Sequence, residues 1–544
     1  MKKPLLIIAA MLLCINSLFA QQTAIEKSEE FDEPAYGWNK LLQMKNGNTM
    51  FFHGTRRNGV EVTVYDSKRK QIASKEMETK LCDLDNMKKA KIIGLYEIGG
   101  EGVIFLVQAD DRVPTLYRIR VSATTGDIIK EDELGELPKT SVWQGYAMVF
   151  GGVDASDMIV EKDPNSDCYA AIIFNGFAHN RNERIKVMHF DGTHKIINTA
   201  YYASPGGTFK YLRFIGAAVD GNKRIFVTTY GHNGNTSDVA ARVIVSKLTV
   251  GDSSFSHNLL NFSEDFDKTQ SVMRYNASNN EIQLLTLSFV KSKHHIMSSK
   301  TQNEYLTLLS YIDPETLALL SVKPVVGAKI DAYGRKNIDK DYEYVGMPQQ
   351  MIINKDNTTT ILSEEMNEVT VYTNHSYHTY TYLGPVGVSE LSDTGAEVHG
   401  YAISKKQKAD GGFPHLYISQ RSKGIFAVSR KSNTDAFLSY DYINAPSGSY
   451  IVFNDLPGNA DKDETDDNVK TVKSVSATNT MCYKLNEPKL DKFFLFGEPD
   501  GKRSSTFCYI ESSDYNKDMN TYATIIVERD GRSKAAKIAW IKFM

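Results

Sequence analysis

Cysteine is scarce: five residues, Cys14, Cys82, Cys168, Cys482 and Cys508, with no C-x-x-C pair among them. That excludes a disulfide-dense scaffold and the usual zinc and redox spacings. Neither sign of charge is in excess; the formal net charge is −3, and no basic block occurs. Such a surface is a poor match for nucleic acid, which needs clustered Lys and Arg. Beyond the first twenty residues no apolar run approaches the roughly 18 residues of a membrane-spanning helix, so no transmembrane segment is expected in the mature chain. Nucleophile elbows, phosphate-binding glycine loops and His-Glu-x-x-His helices are also missing, and with them the compact signatures of common enzymes. Among 66 acidic side chains nothing local marks a general acid or base. Asp163-Pro and Asp313-Pro are among the candidates, but catalytic residues stay unassigned.

The first twenty residues do carry a signal. Lys2 and Lys3 precede an apolar run from Leu5 to Leu13, followed by Asn16-Ser-Leu-Phe-Ala20 and Gln21-Gln22. A charged start, a short apolar stretch and a small residue at the exit are the parts of a secretory signal peptide. The mature chain is expected to begin at Gln21; subtracting the charges of Lys2 and Lys3 from −3 leaves it at −5. It is expected in the periplasm, at the outer membrane or outside the cell. Cys14 follows Leu13 where lipoprotein processing wants a small residue, which argues against lipidation. In an oxidising compartment Cys482 and Cys508, in consecutive predicted strands, are the candidate disulfide.

The rest of the chain reads as strands. Glu61-Val-Thr-Val-Tyr65 and Arg184-Ile-Lys-Val-Met-His-Phe190 alternate with period two, and Asp191-Gly192, Asp220-Gly221 and Asp530-Gly531 are hairpin turn pairs. With 29 Tyr and 25 Phe against 15 Pro, the composition suits pleated, half-buried surface. One weakly similar unit recurs: an apolar strand, a turn of Asn, Asp, Gly or Pro, and a strongly apolar strand. Copies include KLLQMKNGNTMFFHGT, MIVEKDPNSDCYAAIIFNG, FIGAAVDGNKRIFVTTYG, VMRYNASNNEIQLLTLSF and LYISQRSKGIFAVSRKS. Eight copies start near 38, 91, 157, 212, 271, 348, 415 and 481, and their turns recur at intervals of 53 to 77 residues. That interval suits a four-stranded unit with one long loop.

Tandem four-stranded sheets have one economical arrangement, radial repetition, which buries both faces of each sheet and leaves short edges. The expected fold is therefore all-β: residues 21–544 as a single β-propeller of four-stranded blades, eight in number, with seven blades or two smaller propellers as alternatives. The C-terminal IAWIKF is expected to close the ring against the region near Trp38. The FAQQ processing site and the loosely repeated propeller units resemble uncharacterised exported proteins of Gram-negative bacteria, a likeness that supplies no activity.

Two stretches could carry chemistry. In the acidic loop after Asp455, Asn459, Asp461, Asp463 and Asp466 could offer several of the oxygens calcium needs, without the glycine and closing Glu of an EF-hand; the plainer reading is a solvated loop. In Tyr372 to Tyr382, alternating tyrosines could present a face for stacking on sugar rings or a partner, with Tyr372, Tyr380 and Tyr382 as binding candidates and ordinary cross-strand packing as the plainer reading. His375 and His378, and the pair His294-His295, are poorly spaced for joint metal ligation. The functional expectation is an exported, non-catalytic binding or scaffold propeller acting on an envelope protein or glycan. The alternative is an extracellular polysaccharide hydrolase or lyase with a channel-mouth active site, which should bring two acids together in one pocket.

Overall fold

Strands buried on both faces need continuous apolar side chains, whereas strands with one wet face need alternation. Both patterns occur within each repeat and sort by position. The second strands Tyr169–Phe174 and Arg224–His232 are buried at every residue, while the fourth strand Gln71–Glu76 is exposed at nearly every one. The structure, a computed structural model, describes residues 23–34, 37–55, 59–139, 156–233, 241–262, 266–290, 305–373, 376–413, 416–427, 437–460, 462, 469–499, 504–531 and 533–544. The signal-peptide region, His294, His295 and His375 lie outside the described residues.

The described residues form eight antiparallel sheets, the blades of an eight-bladed β-propeller. The first strands of blades 1 to 8 are Trp38–Gln43, Ala90–Ile98, Asp157–Lys162, Tyr211–Asp220, Phe266–Asn276, Met347–Ile353, Asp441–Ala445 and Ser504–Cys508. From blade 1 to blade 6 they adjoin one another around the central channel. Turn chemistry joins first to second strands: Asn46, Asp163 and Asp356 each accept the backbone N–H two residues on, at 2.9, 2.9 and 3.1 Å. Asp313 does the same for Glu315 in a later turn of blade 5. The two Asp-Pro acids are thus turn builders.

The last two blades depart from the sequence copies. The segment near 415 contains no blade strand at its start; it forms a short helix (α2, below). Blade 7 begins at Asp441, and the copy near 481 is its second hairpin, Asn479–Lys484 with Asp491–Phe494. The apolar start of LYISQRSKGIFAV, Leu416, Tyr417 and Ile418, is met by burial against the inner strands, which demands the same side chains as a blade.

The ring closes with Thr23–Lys27 as the outermost strand of blade 8, paired with Ser533–Phe543 from Thr23 opposite Phe543 to Lys27 opposite Ala539. Closure therefore uses a strand upstream of Trp38, because Trp38 itself already belongs to the innermost strand of blade 1. Trp540, 1% exposed, ties the two blades by donating its indole N–H to Thr49 Oγ1 at 2.9 Å.

Among the helices of the described residues, two bear on blade 6 and the channel. Helix α1 (Ala328–Asn337) packs against the outermost strand of blade 6, Glu397–Ile403, burying only Ile330, Tyr333 and Gly334, too few to show a helical period. Helix α2 (Tyr417–Ser422) lies in the connection from blade 6 to blade 7. After it, Phe426–Ala427 pairs with Lys91 and Ile92 in the first strand of blade 2, and the chain returns to blade 7 at Asp441. This connection crosses the channel as a plug. Among the described residues no helix is long and apolar enough to cross a membrane.

Candidate functional site

The plug is held from two sides. On one side Arg421 of α2, fully buried, pairs with Asp441 and donates to the Tyr440 carbonyl oxygen at 2.5 Å. Burial alone would lower the Arg421 pKa, but the Asp441 carboxylate beside it holds it above its usual value. Tyr417 donates its hydroxyl to the Leu438 carbonyl at 3.0 Å. Its backbone N–H donates to Gln349 Oε1 at 2.9 Å, and Gln349 is the extra residue of a bulge in the first strand of blade 6. Similar register shifts occur in the first strands of blades 2, 4 and 5. On the other side the Leu95 N–H donates to the Lys423 carbonyl at 3.0 Å. Gly424 follows at φ +71°, and a Cβ there would meet Leu95 Cβ at 2.9 Å.

Between the plug and blades 3, 4 and 5 remains a cavity of about 510 Å³. Its wall combines apolar side chains (Ile159, Phe214, Ile215, Val272) with hydrogen-bonding ones (Gln270, Ser419, Gln420) and four charges: Glu161, Arg213, Arg274 and Lys423. Glu161 is buried, and both its oxygens are engaged: Oε2 accepts from Lys423 at 2.5 Å and Oε1 from Arg274 at 3.4 Å. Arg274 also donates to its neighbour's carbonyl, Met273 O, at 2.9 Å. Nearby, burial first, and then the charges of Lys355 and Arg274, hold the Lys517 ammonium below its usual pKa.

These residues were not singled out in the sequence, although a signal exists once the blades are superposed. Glu161 and Arg274 each precede by two residues the Asp163 or Asn276 that opens the turn. The same place, two residues before Asn46, Asp220 and Asp356, holds the uncharged Met44, Ala218 and Asn354 in blades 1, 4 and 6. Charge in an otherwise apolar inner strand is the mark.

The expected site residues fall elsewhere. Tyr372 lies opposite Tyr377, and Tyr380 opposite Val369, in an extended hairpin formed by Thr359–Thr373 and Ser376–Leu391 of blade 6. Directly paired residues share a face and neighbours alternate, so Tyr380 and Tyr382 lie on one face while Tyr372 and Tyr377 lie on the other. The hairpin turn falls inside the tyrosine run and divides it. Tyr372 and Tyr377 are 59% and 77% exposed with rings 4.9 Å apart; Tyr380 carries Lys408 over its ring at 3.4 Å. Asp461, Asp463 and Asp466 lie outside the described residues. Asn459 is committed elsewhere: its Nδ2 donates to Asp455 Oδ1 at 2.7 Å and to the Lys470 carbonyl at 2.9 Å, and its Oδ1 accepts from Lys470 N–H at 3.0 Å. Among the described residues no group of three His, Cys, Asp or Glu could hold a metal ion. Cys482 and Cys508 are both free, buried thiols. They belong to separate sheets, Cys482 to the third strand of blade 7 and Cys508 to the first of blade 8, so they are not joined as the sequence reading allowed. Burial pushes the Cys508 thiol up to about 12.

No family model and no curated protein matches the chain. Solved structures that resemble it include an ulvan lyase of a polysaccharide lyase family, at 10% identity and a TM-score of 0.36 over 86% of this chain and 98% of that one. Drosophila Plexin A in complex with Semaphorin 1b matches at 8% and 0.31 over 83% and 87%. A protein of unknown function from Bacteroides caccae matches at 7% and 0.26 over 69% and 84%. Likenesses this distant say nothing about what this chain binds or does.

Proposed function

We propose that this chain is an exported, non-catalytic propeller that binds a protein or glycan partner in the periplasm or at the cell surface, using the cavity beside its plug. The observation that carries this reading is the condition of Glu161, the single carboxylate among the described cavity-lining residues. Lys423 and Arg274 occupy both its oxygens. Paired-carboxylate hydrolysis of a glycosidic bond needs a second acid roughly 5–10 Å away, one of the pair free to give up a proton. Here the carboxylate serves as an internal counter-ion. A recess of this size, walled by apolar side chains with a few placed polar groups, has the make-up of a ligand pocket. The export part of the reading rests on Lys2, Lys3 and the apolar run that follows. Incubating residues 21–544 with acidic and neutral polysaccharides should give binding without new reducing ends or unsaturated sugar products. Product release abolished by Glu161→Gln would move the chain into the hydrolase or lyase class.

A further inference from the structure

Blade 6 carries a hairpin that outgrows it. Its strands Thr359–Thr373 and Ser376–Leu391 have 15 and 16 residues, whereas the first strand of the blade, Met347–Ile353, accompanies the second only as far as Glu364. On the other side Gln407–Asp410 adds a third strand to the hairpin, from Leu383 to Tyr380, and stops there. Beyond these limits the hairpin is a two-stranded ribbon, and among the described residues no strand pairs with its edge Asn367–Thr373. At about 3.3 Å per residue that edge is roughly 23 Å long. Both faces of the ribbon's end are wet: Tyr372 and Tyr377 are exposed on one, Val371 and His378 on the other. A two-stranded ribbon is marginal in water unless a third strand or a packed face supports it. Exposed edges are commonly blunted by Lys or Pro. Asn367-Glu-Val-Thr-Val-Tyr-Thr373 has neither, carries one charge, Glu368, and is rich in strand-favouring residues. Such an edge is a template for another strand.

The edge is complementary to itself. Two identical strands that pair antiparallel are related by a two-fold axis perpendicular to the sheet, so residue i faces j and j faces i. Directly paired residues share a face, so i and j are an even number of residues apart or the same residue. An axis through Thr370, the middle of the seven, sets Thr370 opposite its own copy, Val369 opposite Val371 and Glu368 opposite Tyr372. β-Branched side chains then meet across the seam, and Glu368 faces a neutral partner instead of its like-charged copy. A foreign strand is selected by pockets or a charge pattern; this edge offers one acid, and pairing with itself needs neither. We infer that Asn367–Thr373 is a dimer seam, at which two copies of this chain join their blade 6 hairpins into one antiparallel sheet. The inference goes beyond the binding reading above and does not depend on the cavity. A seam of this size makes a weak dimer that forms as concentration rises.

The test is sedimentation velocity of residues 21–544 between about 1 and 100 µM. The sedimentation coefficient should climb toward that of a dimer, and hydrogen exchange of residues 367–373 should slow over the same range. Thr370→Glu sets two carboxylates directly opposite each other and should weaken dimerisation about tenfold or more. Thr370 is exposed, so the circular dichroism and melting temperature of that variant should match those of the parent chain. Thr370→Cys places two thiols across the axis; mild oxidation should give a covalent dimer that the parent chain, with its own free cysteines, does not form. A chain that stays monomeric over the whole range, leaving the edge to a foreign strand, overturns the inference. So does equal protection of residues 367–373 at every dilution, which would mean that the edge is covered from within the same chain. A dimer as strong in Thr370→Glu as in the parent, or no covalent dimer from Thr370→Cys, places the contact elsewhere and overturns it too. Loss of glycan binding in a chain that still dimerises through this edge would remove the binding reading and leave the seam standing.

Discussion

Asp455 ends the second strand of blade 7, buried, with its Oδ1 accepting from the Leu456 N–H and from Asn459 Nδ2, both at 2.7 Å. Burial pushes its carboxyl from 3.8 up to about 6, and the two hydrogen bonds pull only partly the other way. The sign follows from proton binding. Between pH 4 and 6 the folded state holds a proton that the unfolded state has lost, so stability falls as pH rises through this window and stays lower above it. The full effect is roughly 3 kcal/mol. Asp455→Asn keeps an acceptor and removes the charge. Urea melts of that variant should show a gain of roughly 2–3 kcal/mol at pH 7 and a flatter profile between pH 4 and 6; an unchanged profile contradicts the burial account. Residues governed by local chemistry were readable in advance. Asp191, Asp220 and Asp530 were placed in turns because the reach of an Asp side chain is short and the following Gly takes φ near +50 to +60° in two of the three. Glu161, Arg213, Arg274 and Lys423 were not, because what unites them is the ring, and each looks locally like any charge on a strand or turn.

At the scale of elements, the plug is the feature with the least sequence signature. Its apolar face answers to the channel and its turn to Leu95, so LYISQRSKGIFAV carries the pattern of a blade hairpin without pairing as one. The tyrosine run is divided for a related reason: period two marks a strand but not where the strand reverses, and a reversal between Thr373 and Ser376 places Tyr372 and Tyr380 on opposite faces. Gly424 tests the plug. Its backbone is left-handed at φ +71°, and Leu95 leaves no room for a methyl group. Gly424→Ala should cost about 1–3 kcal/mol, spent locally on the plug. Limited proteolysis should then cut residues 416–427 sooner while circular dichroism of the sheets stays the same. Equal resistance to protease would show that the plug is not held through this contact.

For the whole molecule, closure decides whether eight blades behave as one body. The outermost strand of blade 8 comes from Thr23–Lys27, backed by the Lys27–Glu528 ion pair at 2.6 Å and by the Ser28 N–H bond to the Ile538 carbonyl at 2.9 Å. All-β architecture was legible, and six of the eight copies fall at blade starts, because burial on both faces writes continuous apolar runs at a steady interval; the copies near 415 and 481 do not. The identity of the closing strand was not legible, since TAIEK is short and only partly buried. Removing residues 532–544 takes away the partner of that strand and Trp540 together. Such a chain should melt as a whole at a much lower temperature, in one transition; a melt that keeps its midpoint would contradict closure at this seam.

The central claim is that function resides in the cavity beside the plug rather than on the exposed tyrosine hairpin. Hydrogen exchange of residues 21–544 with and without a polysaccharide that binds tests it most directly. The account predicts slower exchange on binding in residues 211–217, 270–274 and 416–427. Protection confined to residues 366–382 of the hairpin would contradict it.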